Sequence, residues 1–263
     1  MSDLSTPKPD KNRPLSGVRV LNTRPRHEPD LLAEGLRSLG AEAVSMPLIR
    51  FLPAPDEARM AQIASRLSEF SLMAILSRRA ATASHEQFLK NAPSVPPLVA
   101  MGIGTQKALS AFGYRVDLLP DDSNSESMAK LLIEEFRSRG CSKPILILRA
   151  NRGSNFLPTA LREAQIPFEE LAVYQSVDVT EVDPAVLASL SAGEFDWLTV
   201  TSSSIARNAA KLFDGRLGST KIASISPTTT RAATESGLVV AAEALKYDVD
   251  GLLAAIVAFH SQQ

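Results

Sequence analysis

Apolar positions along this chain recur with two rhythms. In one, they fill short compact runs: "VRVLNT" (18–23), "LMAILS" (72–77), "PLVAMG" (97–102), "PILILR" (144–149), "WLTVTS" (197–202) and "KIASIS" (221–226). In the other, they return every three or four residues, as in "DLLAEGLRSLG", "QKALSAFG", "FLPTALREAQ" and "SIARNAAKLF". The first rhythm is that of buried strands and the second that of amphipathic helices. Strands alternating with helices predict βαβ units, hence an α/β fold with parallel sheets flanked by helices. Two extended stretches, "AVSMPLIRFLP" (43–53) and "ELAVYQSVDV" (170–179), stand apart and are expected to run from one lobe to another.

The pattern also repeats. "FSLMAILSRRAA" from Phe70 aligns with "FDWLTVTSSSIA" from Phe195, which places Ser77 on Ser202. "VAMGIGTQKALSAFG" aligns with "ASISPTTTRAATESG", placing Thr105 on Thr229 and Gly113 on Gly237. "LNTR" aligns with "LILR", so that Arg24 falls on Arg149. Three segments sharing an offset of about 125 residues predict two similar α/β lobes, because a period this long is that of whole domains rather than stacked solenoid units. A length of 263 residues accommodates two domains of ordinary size.

Composition narrows the chemistry. With 28 basic and 29 acidic residues the net charge is −1, which leaves no basic footprint for nucleic acid and no polybasic membrane signal. No apolar run approaches the roughly 18 residues of a membrane span. Cys141 is the only cysteine, and His27, His85 and His260 are far apart, so neither a disulfide framework nor a metal-ligand spacing is present. The opening "MSDLSTPKPDKNRP" reads as a disordered tail over residues 1–15 rather than a signal peptide, and a cytoplasmic protein is expected.

In open parallel sheets, ligands bind outside the carboxyl ends of the strands. Several polar clusters fall there. In "SISPTTT", Ser226 can cap a helix with Pro227 at its first position, leaving the N–H groups of Thr228 and Thr229 beside hydroxyls, a setting that favours an anion. Ordinary capping explains the cluster equally well. "GIGT" (102–105) is its counterpart; as a dinucleotide fingerprint it lacks a glycine at Lys107. "TSSS" (201–204) offers Ser202 and Ser203 as donors or as caps, and it is no nucleophile elbow, since G-x-S-x-G is absent. Its counterpart "SRR" (77–79) adds Arg78 and Arg79, either anion ligands or solvated surface charges. Arg24 and Arg149 end matching strands and are candidate anion clamps. Tyr174, in the second extended stretch, is a candidate proton donor or a half-buried strand aromatic.

These residues, in this order, resemble the uroporphyrinogen-III synthase family. The resemblance runs through "LNTRP", "LGAEAVSMPLI", "MGIGTQKAL", "LAVYQSV", "DWLTVTSSS" and "SISPTTTRAATESGLVV". It implies two α/β lobes joined by a two-stranded linker with the active cleft between them. Residues 16–47 and 178–263 would form one lobe and 51–172 the other, with linker strands around 46–52 and 172–179. The repeat alone suggests two consecutive domains instead. The implied reaction is cyclisation of the linear tetrapyrrole hydroxymethylbilane, with loss of water and inversion of ring D, and without metal or organic cofactor.

The substrate's eight carboxylates give the hydroxyl-rich strand ends a purpose. Under the resemblance Tyr174 assists departure of the hydroxymethyl oxygen. Arg24, Ser77, Thr105, Arg149, Ser202, Ser203, Ser226, Thr228 and Thr229 are the expected substrate-binding residues. The expected protein is a monomer whose only partner is this small molecule. Two positions depart from the family pattern: Ser226 stands where glycine is usual, and "SRR" replaces a Thr-Ser-Pro-like turn. A non-catalytic two-lobed receptor for a small anion, or a synthase-like regulatory protein, would use the same strand ends.

Overall fold

The computed structural model describes residues 13–25 and 30–261. In chain order its elements are β1 (Arg19–Asn22), α1 (Leu31–Ser38), β2 (Glu42–Ser45), β3 (Ile49–Leu52), α2 (Glu57–Ala64), β4 (Leu72–Ile75), α3 (Arg78–Gln87), β5 (Leu98–Ala100), α4 (Ile103–Ala111) and α5 (Ser125–Ser138). There follow β6 (Ile145–Ala150), α6 (Phe156–Glu163), β7 (Phe168–Asp178), α7 (Pro184–Ser191), β8 (Trp197–Val200), α8 (Ser203–Phe213), β9 (Lys221–Ser224), α9 (Pro227–Glu235), β10 (Val240–Glu243) and α10 (Val249–His260). All six compact runs form strands and all four periodic stretches form helices.

The chain divides into two compact units. One comprises the chain up to Arg50 together with that from Val177 onward, the other Phe51–Ser176. The first holds a five-stranded sheet of order β10-β9-β8-β1-β2, and every pairing in it is parallel. The second holds a five-stranded sheet of order β3-β7-β6-β4-β5, with β7, β6, β4 and β5 parallel. The internal repeat is visible in these orders. β9, β8, β1 and β2 of the first sheet occupy the places of β5, β4, β6 and β7 in the second.

Strand alternation divides each core between two faces of its sheet. In the second unit Met73, Ile75, Leu146 and Leu148 pack with Ile63, Phe88 and Leu109. Their neighbours Leu72, Ala74, Ile145 and Ile147 pack on the other face with Met128, Leu132 and Leu157. In the first unit Val20, Trp197 and Ala223 meet Leu32, Leu36, Leu252 and Ile256 from α1 and α10. Among the described residues no helix is long and apolar enough to cross a membrane.

Two sequence expectations need correction. The stretch 43–53 is not one crossing strand: β2 lies in the first sheet and β3 in the second, with Met46–Leu48 between them. Pro47 has no N–H to donate and biases Met46 away from helix, so the ladder stops there and restarts. The expected tail, residues 1–15, lies outside the described residues as far as 12, but its last residues belong to the fold. Leu15 is fully buried and its N–H donates to the Leu39 carbonyl at 2.9 Å.

Candidate functional site

In the second unit the carboxyl edge of the sheet gathers Ser77, Thr105 and Tyr174. Ser77 follows β4 and caps α3, its Oγ accepting from the Ala80 N–H at 3.0 Å. Thr105 is buried in the first turn of α4, which starts after β5 at Gly102 without a side-chain cap. The two helix starts adjoin: a Cβ on Gly104 would stand 3.3 Å from Cδ of Arg78, so glycine there leaves room for the arginine stem.

Tyr174 owes its place to a β-bulge. The pairing of β7 with β6 matches Arg149 with Ala172 and then Ala150 with Tyr174, so Val173 is an extra residue. A bulge re-aims side chains. Val173 and Tyr174, which strict alternation would send to opposite faces, both pack against the cluster formed by Ile75, Ala80 and Leu148. Gln87, at the end of α3, donates to the Val173 carbonyl at 2.8 Å, and the Asn151 N–H donates to the Tyr174 carbonyl at 3.1 Å.

The phenol oxygen of Tyr174 then lies 3.4 Å from Ser77 Oγ. This contact is long for an O–H···O hydrogen bond, so the phenol proton remains open to a better acceptor. Phe51 packs T-shaped on the Tyr174 ring, with centroids 5.6 Å apart and planes at 79°. The guanidinium carbon of Arg79 sits 3.8 Å from the centroid of Phe51. Burial holds the Arg79 guanidinium below the ordinary arginine value, with the nearby Tyr174 and Glu86 opposing that shift.

Arg149 does not present a free charge. Its Nη1 pairs with Glu170 Oε1 at 2.9 Å and its Nη2 donates to the Ser154 carbonyl at 3.1 Å. Against the expectation of an anion clamp, its cation is spent on the neighbouring strand and on the loop before α6.

In the first unit the carboxyl edge gathers the remaining residues. Ser202 follows β8 and caps α8, accepting from the Ile205 N–H at 3.2 Å and meeting Ser204 Oγ at 3.1 Å. Ser226 caps α9 with Pro227 at its start, accepting from the Thr229 N–H at 3.3 Å and meeting Thr229 Oγ1 at 3.1 Å. Ser203 Oγ donates to the Thr228 carbonyl at 3.3 Å, which ties the two helix starts together. Of the three threonines, Thr230 is engaged by Ser224 at the end of β9, Thr229 is buried against its cap, and Thr228 is exposed. Arg24 is half-buried just past β1, its N–H held by Asn22 Oδ1 at 3.1 Å.

None of α3, α4, α8 and α9 carries an acidic residue in its first turn, a feature shared with α6 and α7, whereas α1, α2, α5 and α10 each do. The positive ends of four helix dipoles at the two carboxyl edges are therefore uncompensated from within, the arrangement suited to carboxylate ligands. The sequence offers Arg79 as an anion ligand or a solvated surface charge, not as a partner of an aromatic ring, and does not single out Phe51. The signal for Phe51 was a charge at Arg50 between two apolar residues, Ile49 and Phe51, which marks a strand with one buried face.

The fold is of the parallel α/β class in which ligands bind outside the carboxyl ends of the strands, where the helix starts of α3, α4, α8 and α9 stand. The family profile of uroporphyrinogen-III synthase HemD matches residues 30–254. The chain belongs to the uroporphyrinogen-III synthase family, cyclising enzymes of porphyrin biosynthesis. The uroporphyrinogen-III synthase of Synechococcus elongatus is 27% identical over 257 residues, covering 93% of this chain and 96% of its own. The porphyrin biosynthesis protein HemD of Ruminiclostridium josui is 28% identical over 197 residues, 73% of this chain; the match spans 38% of that longer protein. Among solved structures, uroporphyrinogen-III synthetase from Helicobacter pylori matches with a TM-score of 0.65 at 20% identity, covering 92% of this chain and 99% of that one. A mutant uroporphyrinogen III synthase from Thermus thermophilus matches with a TM-score of 0.64 at 16% identity, covering 94% of this chain and all of that one. These two likenesses bear on the fold.

Proposed function

We propose that this chain converts hydroxymethylbilane to uroporphyrinogen III, with Tyr174 as the proton donor to the departing hydroxyl. The observation that carries this reading is the phenol of Tyr174, turned by the bulge toward Ser77 at a carboxyl edge and left with only a long contact at 3.4 Å. A family member with that arrangement has a donor where a leaving oxygen can take its proton.

In the scheme, the lone pair of the terminal pyrrole nitrogen expels the hydroxymethyl oxygen. The C–O bond breaks as Tyr174 supplies a proton, and water leaves. Inversion of ring D takes more than simple closure. The freed methylene carbon first bonds the α-carbon of ring D that carries the bridge to ring C, and the bond from that carbon to the bridge then breaks. The released bridge carbon bonds the other, free α-carbon of ring D, whose proton leaves and restores the tyrosine. Protons and electrons balance, and the scheme uses only side chains and the substrate's own nitrogen.

The hydroxyls of Ser77, Thr105, Ser202, Ser203, Ser226, Thr228 and Thr229, with the amides of their helix starts and the charge of Arg24, are read as ligands for acetate and propionate groups. Such ligands grip a polyanion without a large positive net charge, in keeping with the value of −1. A cytoplasmic monomer acting on this one small molecule completes the reading.

The free bilane closes spontaneously to the type I isomer. Incubating it with the protein and separating the isomers therefore tests the function. Type III product supports the synthase, whereas type I alone together with saturable binding of the bilane favours a receptor or regulatory protein.

A further inference from the structure

Phe51 is the first residue of the second unit and lies on β3, the edge strand beside β7. Along β3 burial alternates: Ile49 is buried and Phe51 half-buried, while Arg50 and Leu52 are exposed. Alternation thus sets Ile49 and Phe51 on one face of the strand and turns the Phe51 ring toward Tyr174. Two of the groups that meet the ring bear on the site. Phe51 meets the Tyr174 ring edge to face, and the guanidinium of Arg79 lies over it at 3.8 Å. Both are directional contacts. An aromatic quadrupole prefers a T-shaped neighbour and holds a cation over its face, so one ring constrains the orientation of both partners.

Arg79 and Tyr174 are moreover close enough to interact electrostatically, and both border Ser77, Arg79 two residues along in the first turn of α3 and Tyr174 through its hydroxyl. A guanidinium in that place has a use in the reaction. When Tyr174 gives up its proton it is left as a phenolate, a negative charge that forms as the C–O bond breaks and lasts until ring closure returns a proton. A fixed cation nearby stabilises that charge at the moment it forms.

We propose that Phe51 is a positioning residue for the reaction, its ring fixing the Tyr174 phenol and the Arg79 guanidinium beside each other so that the arginine stabilises the phenolate left by proton transfer. This rests on the reading of Tyr174 as the proton donor. Phe51 does not touch the reacting atoms; it acts through the two residues it orients. Leucine at position 51 keeps apolar bulk but has no ring face for a cation and no quadrupole for the tyrosine, whereas tyrosine or tryptophan keeps both.

The test uses the full chain in two arms. In the kinetic arm, Phe51→Leu lowers kcat for type III formation by about tenfold to a hundredfold with KM little changed, the size of effect expected from misplaced groups. Phe51→Tyr restores kcat. In an Arg79→Gln background, Phe51→Leu costs much less than it does alone, because the two share one function. In the second arm, nuclear magnetic resonance follows the Arg79 Nε–H and Tyr174 ring signals, assigned with Arg79→Lys and Tyr174→Phe. Phe51→Leu removes the ring-current shift of the Arg79 signal and moves that of Tyr174.

Unchanged signals in Phe51→Leu overturn the proposal whether or not the protein is active. So does a loss confined to KM, or one that adds fully to that of Arg79→Gln. Failure of the underlying reading looks different: the wild type makes no type III isomer, or Tyr174→Phe equals it, and the proposal falls with that reading even if the signals move.

Discussion

The indole N–H of Trp197 donates to Nε2 of His260 at 2.7 Å, joining the buried strand β8 to the last turn of α10. To accept this bond His260 must be neutral at that nitrogen. Burial holds its pKa below the usual histidine value of 6.5, and Lys221 acts in the same direction while Asp196 opposes it. A base whose folded pKa is depressed gives stability that is present above the unfolded value. That stability is lost as pH falls from 6.5 toward the lower folded value. Thermal unfolding midpoints should therefore decline as pH falls below about 6.5, and His260→Gln, which keeps an acceptor but does not titrate, should flatten that decline. Equal slopes in the two proteins would show that His260 does not drive it.

Asn208 ties together the two places where the chain leaves the first unit. Its buried amide donates to the Leu48 carbonyl at 2.7 Å and to the Val179 carbonyl at 2.9 Å. Leu48 O has a second donor in the Val179 N–H at 2.9 Å, so Asn208→Ala leaves mainly the Val179 carbonyl without its partner. The expected destabilisation is about 1–3 kcal/mol in denaturant unfolding, with faster amide exchange at Val179. Unaltered exchange at Val179 would mean that the strands hold each other without the asparagine.

Thr105 and Thr230 separate binding from structure. Thr105 stands in the uncapped first turn of α4, whereas the Thr230 hydroxyl is engaged by Ser224. Thr105→Val should raise KM by about tenfold, the cost of one hydrogen bond to a charged group, and leave kcat nearly as it was. Thr230→Val should lower the unfolding midpoint and leave KM alone. Equal KM changes in both variants would point to a general loosening of helix starts rather than a carboxylate ligand at Thr105.

The order of elements and the hydroxyl-capped helix starts were legible in the sequence because both rest on local signals. Apolar period marks the elements, and Ser226-Pro227 marks a helix start by itself. The repeat carried further, matching Ser77 with Ser202 and Thr105 with Thr229 across two sheets of corresponding strand order. What escaped depends on contacts between distant segments. Nothing near Arg149 announces that Glu170, one strand over, will take its charge. The bulge at Val173 is a matter of register between β6 and β7, and only that register turns Tyr174 toward Ser77. β10 escaped for a different reason: "VAAE" is a short edge strand with two half-buried small residues, too weak a pattern to stand out.

Tyr174→Phe tests the central claim most directly. The substitution keeps the ring that packs on Phe51 and removes only the hydroxyl beside Ser77. Bilane is supplied to wild type and variant, and the rate and the ratio of type III to type I isomer are measured. The leaving group departs with the help of its own pyrrole nitrogen, so the expected loss of turnover is about a hundredfold or less, at the low end for general acids. Affinity should change little, and spontaneous type I product should appear beside a slower yield of type III. A rate and an isomer ratio equal to those of the wild type would contradict the account and leave Tyr174 a packing residue.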